Sequence, residues 1–294
     1  MAQLTSSSLQ PARPKQTQPA KRPTSWVRIV IYAFLILFLI TSVGPLVFTF
    51  ISSFKTMGDV LAFPPTLIPN PFVWSNYQLI FGNPLFLRWM FNSVVYAGAA
   101  TLLNMLFSAM AGYALGRMDF PGRNLVFTFT LAVMMIPSAI TLIPKFLIVN
   151  NFHLANTYWA LILPAMAQPF SVFIMVQFMK ILPKELEESA RIDGATRWRT
   201  FYQIILPQVK PALTAVVILT FQGAWNDFQW PLVALGTQNM YTLPLGLFFF
   251  KSAYYTQYNL LLAGSMFNTI PILLLFFIFQ RYFIEGAVAS GVKG

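Results

Sequence analysis

The groups in this chain that could carry chemistry are concentrated between Lys180 and Pro211, in the stretch KILPKELEESARIDGATRWRTFYQIILPQVKP. The chemistry on offer there is recognition by charge and apolar contact, not bond making. There is no cysteine, so thiolate metal sites and disulfides are excluded, and no metal site is expected. His153 is the single histidine, which rules out an HExxH metal pair; it stands in a loop without an acidic neighbour. No GxxxxGK[ST] loop is present, so the chain has no P-loop with which to hydrolyse ATP.

The stretch reads as two short helices joined by a turn. Pro183 stands at a helix start, and Glu185, Glu187 and Glu188 suit the positive end of the helix dipole. Asp193-Gly194 supplies the turn, with Gly194 able to adopt a left-handed cap. Trp198, Phe201, Tyr202 and Ile205 then recur at i, i+3, i+4, i+7, one face of a second helix that Pro207 is expected to end. A wet apolar face has no use in isolation, so Trp198, Phe201 and Tyr202 either fold back on the protein or dock a partner.

Glu188-Ser189-Ala190, Asp193-Gly194-Ala195 and Ile204-Ile205-Leu206-Pro207 together resemble the EAA loop of bacterial ABC-importer permeases, with Ser189 in place of the first Ala. The resemblance implies a type I importer permease fold and a coupling helix that seats in a groove of an ATPase subunit. It assigns that coupling to Glu187, Glu188, Ser189, Ala190, Asp193, Gly194, Ala195, Leu206 and Pro207. It also implies partners: a second homologous permease, two ABC ATPase subunits and an extracytoplasmic solute-binding protein. ATP and magnesium would be bound by the ATPase, with no cofactor in this chain.

The rest of the sequence must hold this loop, and its composition says how. Hydrophobic residues make up 57% and charged residues 9%, and the mean hydropathy is +0.64. A soluble domain carries roughly a quarter charged residues, so this is an all-α, multi-pass membrane protein. The net charge of +11 suggests nucleic acid, but its distribution argues against that partner. Arg13, Lys15, Lys21, Arg22, Arg28, Arg117, Arg123, the six basic residues of the central loop, Arg281 and Lys293 all fall to one side. Lys55, Arg88, Lys145 and Lys251 are left for the other. That is the positive-inside rule, placing both termini and the loop at 180–211 on the cytoplasmic side; the resemblance implies that the membrane is a bacterial inner one.

About six spans are expected. Residues 1–24 form a basic, disordered tail and 25–54 the first, uncleaved span. An external segment at 55–88 follows, whose prolines preclude a long regular element and whose Phe63-Pro64-Pro65 and Asn76-Tyr77 resemble the same family's outer loop. The remaining five spans occupy 89–282, followed by a tail at 283–294. The second, Met90 to Gly116, carries Ser108, Gly112 and Gly116, a small-residue stripe suited to close helix packing. The third, Leu125 to Ile143, is broken near Pro137 and Pro144, and the fourth, Thr157 to Met179, near Pro164 and Pro169. The fifth ends in Trp225-Asn226-Asp227-Phe228, which is similar to a recurring sequence of sugar-importing members.

The spans hold almost no charge. An ionised side chain at a helix centre costs roughly 2.5–3.5 kcal/mol on insertion scales, so those kept usually serve transport. Lacking such a relay, uphill movement must draw its free energy from outside the chain, and the central loop is the entry point. Asn104, Gln222, Trp225, Asn226 and Asn268 are candidate pathway residues: amides bond hydroxyls and rings stack on sugar faces. The same amides equally suit bonds between helices. The function implied is the transmembrane subunit of an ATP-driven importer for a sugar or sugar-like solute. The alternative class is a self-sufficient channel or secondary carrier; an intramembrane hydrolase would need a Ser–His or paired acids that the spans lack.

Overall fold

A computed structural model describes residues 25–248 and 256–291. The tail at 1–24, Lys251 and residues 292–294 lie outside the described residues. Everything described is helix, turn or loop, apart from an isolated bridge at Thr256. Two units are distinguished, one up to Val47 and one from Phe48 onward.

The first unit belongs to α1 (Ser25–Ser52), a run with a mean window hydropathy of 2.5 and no charge after Arg28. Such a helix, about 40 Å long at 1.5 Å per residue, can cross a bilayer.

The second unit is organised on α4 (Pro84–Arg117). Asn83 starts it, its side chain accepting the Leu85 N–H at 3.0 Å with Pro84 in the first turn, where no N–H is needed. Between α1 and α4 lie two short helices, α2 (Met57–Val60) and α3 (Ser75–Gly82). After α4 come α5 (Arg123–Met134) and α6 (Ser138–Asn151), then α7 (Tyr158–Ala165) and α8 (Pro169–Ile181). α4 packs against α7, α8 and the later α11 (Lys210–Trp225). Its contact with α8 is close because Gly112 has no Cβ: one added there would sit 2.5 Å from Met175 Cβ. At Gly116 the nearest neighbour would be the Val176 carbonyl at 3.3 Å. The small-residue stripe therefore works within the chain.

Among the described residues four helices are long and apolar enough to cross a membrane, and two bent pairs bring the number to as many as six. One pair departs from the sequence reading. The third span breaks near Pro137 as expected, α5 stopping at Met134 and α6 leaving at 107°, but it runs on to Asn151, past the Ile143 end that the sequence suggested. Pro137 makes that break, forcing its predecessor out of helical geometry. Pro144, by contrast, lies inside α6 without ending it. The last helix, α14 (Tyr258–Gly291), continues beyond the boundary drawn at residue 282.

At the end of α4 remote from the central loop, amides replace apolar packing. Asn92 Nδ2 donates to the Asn239 and Tyr241 carbonyls at 2.8 and 2.9 Å, while its Oδ1 accepts from the Tyr158 hydroxyl at 2.6 Å. Asn156, at φ +61°, accepts from the backbone of Gly236 and Thr237. These bonds fix loops around α12 (Gln229–Ala234) and α13 (Leu243–Phe248) onto the bundle. His153 is exposed in the turn after α6 at φ +56°.

Candidate functional site: the helical elbow at residues 180–211

The elbow is built from α9 (Glu185–Ile192) and α10 (Arg197–Gln208). Its spacing has a geometric cause. The Ala195 N–H bonds the Ala190 carbonyl at 2.9 Å, and the Gly194 N–H bonds the Arg191 carbonyl at 3.0 Å. That pair of bonds is a Schellman cap, with Gly194 as its left-handed residue at φ +76°. Ala190 must be small, since it is only 3% exposed. Thr196 then starts α10, its hydroxyl accepting the Arg199 N–H at 3.3 Å.

α10 does not end at Pro207 as its sequence suggests. Its centre, Thr200–Ile205, is a π-helical turn, and the helix passes through Pro207 to Gln208 before a 79° bend into α11. The wider turn removes the clash that a proline ring makes with the carbonyl four residues back. It also rotates the aromatic face. Phe201 (6% exposed) and Ile205 (0%) turn inward onto Ala109, Met175, Met179 and Val216, whereas Trp198 (66%) and Tyr202 (64%) face out. The single face expected at 198, 201, 202 and 205 is thus divided between core and surface. Of the residues for which periodicity left two fates open, Phe201 folds back on the protein and Trp198 and Tyr202 stay exposed.

One connection was not visible in the sequence. Arg117, at the last turn of α4, donates to the Leu182 and Pro183 carbonyls at 2.7 and 3.0 Å and to Met179 at 3.3 Å. Its guanidinium also pairs with Glu187 at 3.2 Å, the two side chains being 4% and 19% exposed. Arg117 therefore closes the C-terminus of α8 and holds α9 to α4. Glu187 faces this inner bond, while Glu188, Ser189, Asp193, Gly194 and Pro207 are exposed, and Ala195 and Leu206 are half-buried. Ser189 bonds the Glu185 carbonyl at 2.8 Å, satisfying its hydroxyl within the helix, which is why it can stand where a smaller residue is usual. Ile192, 86% exposed, joins Trp198 and Tyr202 as an apolar side chain on the elbow's surface; sequence reading omitted it.

The amides proposed for a pathway separate into two groups. Asn104 is fully buried and saturated: Nδ2 donates to Ser171 Oγ and Thr220 Oγ1 at 2.7 and 2.6 Å, and Oδ1 accepts the Gln168 N–H at 2.7 Å. It is a bond between helices. Trp225 is likewise buried, donating to the Asn268 carbonyl at 2.8 Å. Asn268 Nδ2 donates to Asn226 Oδ1 at 3.3 Å, and the side-chain oxygen Oδ1 of Asn268 is buried without a hydrogen-bond partner. Gln222 and Asn226 are exposed. No cluster of His, Cys, Asp or Glu able to hold a metal occurs among the described residues.

An α4-centred membrane bundle that presents a capped helical elbow at one end defines a transport permease component. Residues 105–286 match the family described as binding-protein-dependent transport system inner membrane component, and the chain belongs to it. It is a non-enzymatic inner-membrane subunit, which sets aside the hydrolase and the free-standing channel or carrier. The chain is 41% identical to the arabinooligosaccharides transport system permease protein AraQ of Halalkalibacterium halodurans, over 92% of this chain and 97% of that one. It is 36% identical to the diacetylchitobiose uptake system permease protein NgcG of Streptomyces coelicolor, over 88% and 87%. It is also 34% identical to the sn-glycerol-3-phosphate permease protein UgpE of Yersinia enterocolitica, over 90% and 95%. Among solved structures, a chain of a bacterial ABC transporter importing alginate superposes with a TM-score of 0.78 at 20% identity, covering 90% of this chain and all of that one. The fold is that of type I ABC importer permeases.

Proposed function

We propose that this chain forms half of the translocation pathway of an ATP-driven sugar importer and takes up ATPase motion through the α9–α10 elbow. A second, homologous permease completes the pathway, two ATPase subunits bind ATP and magnesium, and an external binding protein delivers the solute. The observation that carries this reading is the pairing of a bundle poor in charge with one rigidly capped elbow whose outer surface is apolar and acidic. Trp198, Tyr202 and Ile192 are exposed there at 66%, 64% and 86%, with Glu188 and Asp193 beside them in sequence. Large apolar groups left in water at the rim of a membrane protein mark a contact surface. The positive-inside rule puts that surface in the cytoplasm, where the ATPases are. The relatives that handle arabinooligosaccharides and diacetylchitobiose support a carbohydrate as the solute.

The test is Glu188→Lys in the reconstituted four-subunit complex. Because Glu188 is exposed, insertion and assembly stay normal, while ATP hydrolysis stimulated by the loaded binding protein falls at least about tenfold, as for loss of one desolvated charge contact. Unchanged stimulation in an assembled complex refutes the coupling role.

A further inference from the structure

Two adjoining cavities open where the end of α4 meets the elbow. The larger, about 370 Å3, is walled by Met110, Tyr113, Ala114 and Met118 at the end of α4 and by Trp198 and Phe201 of α10. The smaller, about 170 Å3, is walled by Arg117, Asp119, Glu187, Arg191, Arg197 and Thr200. Tyr113, Met118 and Arg197 line both, so an apolar chamber and a charged one share a wall.

The charged chamber has cations to spare. Asp119 is paired with Arg123 at 2.7 Å and Glu187 with Arg117 at 3.2 Å. Arg191 and Arg197 are exposed and make no salt bridge among the described residues. Arg117 adds a donor: its side chain is only 4% exposed, and its Nε–H is buried without a hydrogen-bond partner. Guanidinium groups gathered around one small chamber suit a phosphate, which their planar forks can grip.

The apolar chamber says what that phosphate is attached to. A free anion gains nothing from methionine, alanine and aromatic walls, whereas an alkyl chain does. A wholly apolar ligand, in turn, leaves the arginines unanswered. Arg197 lines both chambers, so its stem can cover apolar surface while its head meets charge. The positive-inside rule sets this junction at the inner face of the membrane, and basic pockets between helices on that side bind anionic head groups. We propose that the paired cavities hold one anionic phospholipid of the inner leaflet. Its head group lies against Arg191, Arg197 and Arg117, and one acyl chain runs along Met110, Ala114 and Met118. A lipid seated there touches both α4 and the elbow. The site needs only this fold and stands apart from the importer reading and from the identity of the solute.

The test uses the assembled complex in phosphatidylcholine nanodiscs doped with phosphatidylglycerol that carries a diazirine in one acyl chain. After illumination, cross-linked peptides are mapped by mass spectrometry. Cross-links are expected at residues 110–118 and 197–201. Arg191→Gln combined with Arg197→Gln, both on exposed residues, keeps the complex assembled on gel filtration and lowers the yield at least about fivefold, as for loss of basic contacts to an anionic head group. Diazirine phosphatidylcholine falls short of the phosphatidylglycerol yield by a similar factor, and inorganic phosphate at millimolar concentration changes nothing. Displacement by inorganic phosphate marks a free-anion site, and equal yields from the two lipids mark bulk contact. Cross-links absent from both segments, or untouched by the double variant, mean that a protein partner or nothing fills the cavities. Each of these results overturns the proposal.

Discussion

Replacing Arg117 with Met keeps the stem of the side chain and removes its charge and donors. The Leu182 and Pro183 carbonyls at the end of α8 then lose the arginine's donors, Met179 keeps only the Leu182 N–H, and Glu187 loses its counter-ion. With Arg117 at 4% and Glu187 at 19% exposure, breaking the pair from the arginine side costs about 3–5 kcal/mol. Glu187→Gln costs less, about 1–2 kcal/mol, because a neutral acceptor remains and the guanidinium keeps its carbonyls. The loss falls on the attachment of α9, not on the whole fold, since α4, α8 and α11 keep their packing through Gly112, Met175 and Val216. Hydrogen exchange of the α9 amides in the assembled complex reads it directly. At 1.4 kcal/mol per tenfold, opening accelerates from about a hundredfold to about four thousandfold in Arg117→Met and about tenfold in Glu187→Gln. The double variant is expected to cost less than the sum by at least about 1 kcal/mol, as for residues in direct contact. Additive costs, or α9 exchange unchanged in Arg117→Met, refute the idea that this arginine holds the elbow to α4.

Asn104→Leu removes three bonds among α4, α8 and α11 and is expected to cost about 2–4 kcal/mol, read as a lower denaturation temperature of the purified complex. Gly112→Val drives a side chain into Met175 and abolishes folding or assembly, seen as loss of the complex on gel filtration, whereas Gly98→Ala, with open space around it, is neutral. Gly194→Ala meets no neighbour, so its cost is the left-handed backbone alone, about 1–2 kcal/mol, and α9 frays without loss of insertion. Trp198→Ala and Tyr202→Ala leave thermal stability within about 0.5 kcal/mol, as surface changes do, but weaken capture of the ATPase subunit in a pull-down.

Legibility followed the range of the forces involved. Hydropathy runs located the spans because burial in lipid acts on every residue of a segment. The Glu188 to Pro207 spacing was readable because a Schellman cap and an N-cap are local, spanning six residues and four. The aromatic face was misread because its period assumed 3.6 residues per turn, and a π turn at Thr200–Ile205 changes which side Phe201 and Tyr202 present. Asn104 and Trp225 looked equally fit for solute or for helix bonding; only partners 64 to 116 residues away, or 43 for Trp225, separate those uses. Arg117 resembled any other residue of the positive-inside pattern. Its role depends on an acid 70 positions later in sequence, which no window of local periodicity contains.

The same arginine explains how an elbow on a flexible-looking loop could move helices at all. A loop tied to the bundle only through its two chain ends would yield when pushed, because backbone torsions at Pro183 and Val209 would absorb the displacement. α9 has a third anchor, the Arg117–Glu187 pair, and α10 a fourth, the inward Phe201 and Ile205. Both anchors end on α4 or on α8 and α11 packed against it. α4 also carries Tyr96, which lines a groove of about 280 Å3 between α4, α8 and α11, and Asn104, which bonds the Ser171 and Thr220 hydroxyls there. A push on the elbow therefore reaches the groove through one continuous helix. Weakening the third anchor should uncouple hydrolysis from uptake before it abolishes either, raising ATP consumed per sugar moved in Glu187→Gln; an unchanged ratio would remove α4 as the transmitting element.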